Sequence, residues 1–168
     1  VYIWGGTPYH SGHEVTAEEF IVEKLKGRGI KSKYMGLLSI VRLCKEPRER
    51  LVFIAHSSSS AVVYPETPMA RERKAFLEMY AQNKLPKIDL VVRAHKHMFE
   101  EIHKGEQHIL SLPCFQAFVP FDKSVKWFPM FQPDIGGCIL FVDTEARIRI
   151  MHFLYPNILV DADVKELK

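Results

Sequence analysis

The stretch from Leu51 to Arg93 runs strand, loop, helix, strand, and that order constrains the fold more than any other feature of the chain. Leu51-Val52-Phe53-Ile54-Ala55 is a short apolar run that reads as a strand, and Ile88-Asp89-Leu90-Val91-Val92, entered after helix-breaking Pro86, reads as a second, buried one. Between them Thr67-Pro68 supplies an N-cap and first-turn pair. It opens a helix with Phe76, Leu77 and Tyr80 on one face and an end near Lys84. Strands joined through a helix are parallel, with a right-handed crossover. Both strands therefore finish at the same edge of one sheet.

That edge carries histidines. His56 follows the first strand directly, and His95-Lys96-His97 follows the second. In extended chain, residues i and i+2 point the same way. Neutral imidazole is the commonest protein ligand for transition metals, and the carboxyl edge of an open α/β sheet is where ligands bind. His56, His95 and His97 are thus candidate metal ligands, and three imidazoles can hold one zinc ion with a fourth position open. The competing reading makes His56 a loop cap and the other two surface residues. His10 and His13 lie in the glycine-bracketed loop Gly5 to His13, after the apolar strand Val1 to Trp4. They are candidates for a catalytic loop that passes close to a ligand, or else incidental members of a strand-to-helix turn. His103, His108 and His152 have no partner at a telling spacing and read as ordinary strand or loop residues.

The rest of the chain extends the α/β pattern. Thr16 and Glu19 make a capping box for a helix through Phe20, Ile21 and Leu25 that Gly27 or Gly29 ends. Strands are expected at Leu37 to Leu43, Gln107 to Leu112, Gly137 to Val142 and Ala146 to Phe153, the last two joined at Asp143-Thr144-Glu145. The aromatic stretch within Cys114 to Asp134 reads as a packed loop rather than a base-stacking surface, and Asp161 to Lys168 as a polar tail. Ser57 to Ser60 lacks the GxSxG context of a nucleophile elbow, and Gly5-Gly6 lacks the spacing and lysine of a phosphate-binding loop. No apolar run of ~18 residues is present, which excludes a membrane-spanning helix, and no signal peptide is visible. Cys44, Cys114 and Cys138 are odd in number and form no CxxC, which points to a reducing, cytoplasmic setting. A net charge of +3 suits an anionic substrate without requiring one.

These residues resemble the calcineurin-like metallophosphoesterases. Ala94-His95-Lys96-His97 resembles that family's Gly-His-x-His motif, and Phe53-Ile54-Ala55-His56 its strand-then-His motif. Gly6-Thr7-Pro8-Tyr9-His10-Ser11-Gly12 and Asp134-Ile135-Gly136-Gly137 are similar to elements of a subgroup carried by phages and microbial genomes. The resemblance implies an α/β sandwich with mixed β-sheets over residues 1–160. It implies His56 and His95 as ligands of one metal, His97 as a ligand of another, and His10 or His13 as general acid. Two divalent ions (manganese, iron or zinc) about 3.5–4 Å apart would serve phosphoester hydrolysis, with a nucleotide, a nucleic acid or a small phosphoester as substrate. The family's earlier Asp-x-His and Gly-Asp-x-x-Asp motifs are not in this sequence. The expectation is therefore the carboxyl-terminal half of such an enzyme, weak or inactive without an upstream segment or partner chain. Its alternatives are a catalytically inactive binding module and a mononuclear zinc hydrolase.

Overall fold

The computed structural model describes residues 1–6, 17–43, 47, 49–56, 66–115 and 133–156. In chain order its elements are β1 (Tyr2–Ile3), α1 (Ala17–Gly27), β2 (Lys33–Tyr34), β3 (Leu38–Leu43), β4 (Arg50–Ala55), α2 (Glu66–Ala81), β5 (Leu90–Arg93), β6 (Glu100–Lys104), β7 (Gln107–Ser111), β8 (Ile135–Val142) and β9 (Ile148–Tyr155). The expected crossover unit is present: β4 and β5 are parallel, with Val52 opposite Leu90 and Ala55 opposite Arg93. β7 adds in parallel beyond β5. The antiparallel edges β3 and β6 complete a mixed five-stranded sheet in the order β3-β4-β5-β7-β6. Sequence patterning does not reveal β6, because Ile102 is its only apolar residue. An edge strand that is exposed on one side needs little more.

Alternation along the central strands assigns the two faces. Val91 and Ile109, with half-buried Leu51 and Phe53, pack on Met69 and Phe76 of α2. Val52, Leu90, Val92 and Leu110 point the other way, onto Cys138, Leu140, Ile148 and Ile150 of the β8–β9 hairpin. The sheet is therefore the middle layer of three. The stripe of α2 that meets it runs through Met69, Arg73 and Phe76, at spacings of four and three. Leu77 lies about 100° off that stripe, and Tyr80 stands in the last turn. Both are exposed, at 38% and 47%, contrary to the sequence expectation.

The hairpin itself is apolar on both sides. Ile139, Phe141, Met151 and Phe153 alternate with the buried set and are 41–49% exposed. Its two strands close over Asp143, which caps the turn. The Asp143 carboxylate accepts from the amides of Glu145 and Arg147 and from Arg147 Nε, each at 2.9 Å. These bonds, led by the Arg147 amide, hold the Asp143 pKa at about 2. A carboxyl depressed by folding stabilises fully above its unfolded value of ~3.9. That contribution is lost as the pH falls through about 2. A carbon-13 titration of Asp143 is expected to show its midpoint near 2. A midpoint at the ordinary aspartate value would refute this account of the turn.

At the other end of the chain, β1 and β2 form a short parallel pair, with Tyr2 opposite Lys33. Val1 and Tyr2 are 59% and 64% exposed. Trp4 is half-buried and donates to Ser39 Oγ at 2.6 Å. At Gly5 a Cβ would stand 2.2 Å from the Tyr34 hydroxyl, so a larger residue there displaces the Tyr34 side chain. No described helix is long and apolar enough to cross a membrane.

Candidate metal centre

β4 ends at Ala55 and β5 at Arg93, so both chains leave the sheet at one edge. Leaving, they stay tied: the Ala94 amide donates to Ala55 O and the His56 amide to Leu37 O, each at 3.3 Å. The chain after β5 then turns sharply. His95 has φ 84° and His97 φ 58°. Left-handed backbone at a non-glycine residue costs roughly 1–3 kcal/mol and collects at functional sites. Histidine is among the residues that tolerate it best.

The turn brings two imidazoles together. His95 Nδ1 lies 3.3 Å from His56 Nε2, with ring centroids 5.2 Å apart and planes at 64°. The contact is one hydrogen bond, its donor set by the tautomers. The same spacing fits a second state. Two nitrogens each about 2.0–2.1 Å from a tetrahedral ion stand about 3.3–3.4 Å apart. The donor set and its spacing therefore fit two sites on one divalent ion. His95 is exposed and His56 half-buried, which leaves the site open to ligands.

His97 is held by its backbone, its carbonyl accepting from the Asp134 amide at 2.8 Å. Among the described residues no three His, Cys, Asp or Glu side chains gather closely enough to hold an ion, so His97 does not join His56 and His95 in a three-imidazole cluster. The expectation of such a cluster rests on extended chain through His95-Lys96-His97. Left-handed backbone at both His95 and His97 removes the i, i+2 alignment that extended chain provides. His10, His13, Thr7 and the serine run Ser57 to Ser60 lie outside the described residues.

The cations flanking the site are engaged. Arg93 makes a bidentate pair with Glu72 of α2, its Nε 3.0 Å from Glu72 Oε2, and its guanidinium lies over the Phe53 ring with the carbon 5.0 Å from the centroid. Burial pushes the Arg93 pKa below its ordinary value. Lys96 Nζ stands 3.7 Å from Glu100, both side chains less than 15% exposed. These charges anchor the loop rather than lie free at a strand edge. Glu72 was missed in the sequence, though a carboxylate set between Met69 and Phe76 on the sheet face of a helix is the signature of an inward ion pair.

The other histidines also have partners. His103 and His108 stack at 3.9 Å, nearly parallel at 8°, on neighbouring strands. Burial first, and then His103, lowers the His108 pKa. His152 packs on Phe99 at 4.3 Å. His103 and His108 line a cavity of about 500 Å³ with Arg50, Asp89, Arg147 and Arg149. That cavity is at the amino ends of β4 and β5, the opposite edge from His56 and His95. Its arginines are engaged: Arg147 and Arg149 with Asp143, and Arg50 with Ala146 O and Asp89.

No family model and no curated protein sequence matches the chain. Among solved structures it is similar to a double mutant of Vps29 from Entamoeba histolytica, at 9% identity and TM-score 0.42, over 82% of this chain and 75% of that one. Wild-type Vps29 of the same organism complexed with zinc aligns at 9% identity and TM-score 0.40, over 73% of this chain and 64% of that one. Vps29 of Chaetomium thermophilum aligns at 10% identity and TM-score 0.40, over 75% and 70%. Likeness of this degree concerns the path of the backbone alone.

Proposed function

We propose that this chain is a metal-binding scaffold of the metallophosphoesterase type. In this reading His56 and His95 take one divalent ion at the carboxyl edge of the central sheet. The observation that carries it is the 3.3 Å separation of His95 Nδ1 and His56 Nε2 on two strand ends that the crossover fixes side by side. A divalent ion there would supply Lewis-acid chemistry toward a phosphoester. The chain's own part is to hold two imidazole nitrogens 3.3 Å apart at the sheet edge. His97 remains the proposed ligand of a second ion, and His10 or His13 the proposed proton donor to the leaving group. Manganese, iron and zinc all suit nitrogen ligands mixed with carboxylates.

A second reading, a binding module of the same fold that does no chemistry, is favoured by the gathering of only two such ligands among the described residues. Titration of the purified protein with cobalt(II), followed by visible absorption, tests the site. A saturable band of low-symmetry cobalt is expected, and its absence overturns the metal-binding proposal. Manganese-dependent cleavage of an aryl phosphodiester then separates the two readings. Turnover lost in His56→Ala supports the hydrolase, and metal binding without turnover supports the module.

A further inference from the structure

The loop that carries His95 and His97 is bound through its backbone to Asp134. Asp134 meets it twice: the Asp134 amide donates to His97 O at 2.8 Å, and Asp134 Oδ2 accepts from the Phe99 amide at 2.7 Å. Asp134 is in turn fixed from behind. Its carbonyl accepts from the Cys114 amide at 2.9 Å, and the Gly136 amide donates to Cys114 O at 2.8 Å. Cys114 and Ile135 form a parallel bridge there. Gly136 lets β8 close onto β9 at this point, since a Cβ would stand 2.1 Å from Phe153 O. The loop is thus stitched to the start of β8 by Asp134.

We infer that Asp134 is a positioning residue for the His56–His95 pair. The two left-handed histidines make the turn costly. Left to itself, chain of this kind relaxes toward right-handed or extended backbone, and that rotation carries the His95 ring away from His56. Two hydrogen bonds from one residue, spanning His97 to Phe99, close the turn. One of them is charge-assisted, the stronger class. Lys96–Glu100 and Arg93–Glu72 hold the loop's ends by side chains, whereas Asp134 is tied directly to its backbone. The ligand-binding consequence rests on the metal reading above, but the positioning itself does not.

The test compares Asp134→Ala with Asp134→Asn, which keeps a side-chain oxygen for the Phe99 amide. The primary readout is the nuclear Overhauser effect between the His56 and His95 rings, whose centroids are 5.2 Å apart. It is expected in the wild type and in D134N, and weakened in D134A, which removes the carboxylate bond to Phe99 and leaves the amide bond to His97. Cobalt(II) affinity is expected to fall at least about tenfold in D134A, as for other groups that orient metal ligands, and to return in D134N. D134A that keeps both the ring contact and the affinity overturns the inference. A wild type that shows the ring contact but binds no cobalt overturns the metal reading alone, and the ring contact still decides the role of Asp134. Should D134A fail to fold, hydrogen exchange of the Phe99 amide in the wild type decides. Protection supports the clamp, and exchange at the rate of an open loop refutes it.

Discussion

Glu72→Ala is expected to destabilise the protein by about 3 kcal/mol, the low end of the cost of breaking a buried ion pair from one side. The side chains of Arg93 and Glu72 are 13% and 18% exposed, so neither charge has ready access to water. Removing the carboxylate leaves the Arg93 guanidinium over Phe53 and against the α2 face of the sheet. Burial already pushes its pKa down in the native protein. The asymmetry is the diagnostic. Replacing both members together, as in Glu72→Leu with Arg93→Met, removes the uncompensated charge along with the pair. That double variant is expected to recover most of the loss, since a well-packed apolar substitute is often neutral or better. Urea unfolding of the three proteins measures this directly. A cost below about 1 kcal/mol for Glu72→Ala would class the pair with ordinary surface salt bridges.

This ion pair also marks where sequence reading stops. The crossover, its parallel strands and the shared edge of His56 and His95 were legible because they follow from local pattern. Apolar β-branched runs, a Thr-Pro helix start and chirality leave little choice. The direction of Arg93 was not legible, since it depends on which helix residue faces it across the layer. The same holds for β6, whose identity as an edge strand is settled by β7 rather than by its own polar sequence. The placement of His97 is of another kind. Sequence periodicity assumes extended chain past the strand, and the structure instead bends there with positive φ at two histidines. Local rules break where the backbone is strained, and strain gathers at functional sites. Asp134 was visible within Asp134-Ile135-Gly136-Gly137, but its task was not. It is defined by contacts with His97 and Phe99, 37 and 35 residues away in the chain.

His95→Ala is expected to weaken cobalt(II) or zinc(II) binding by at least about a hundredfold, equivalent to roughly 2.8 kcal/mol at 1.4 kcal/mol per tenfold. The fold should be left intact. His95 is exposed, and its described contact is with His56 rather than with the core. Truncating the exposed ring removes little packing, and what stability the variant loses comes from its left-handed backbone. Relief of the left-handed backbone does not rescue it either, since alanine tolerates that conformation less well than histidine. His56→Ala is expected to match the loss. The double variant should add little, because two ligands of one ion act as a unit and their deletions are not additive. His103→Ala serves as the control. It removes an imidazole of comparable exposure from the opposite edge of the sheet, stacked on His108. Isothermal titration of the four variants beside the wild type decides the matter. Equal losses at His56 and His95 with none at His103 place the ion between β4 and β5. A loss shared evenly by all three histidines would mean scattered surface coordination, and the 3.3 Å contact would then be a hydrogen bond and nothing more.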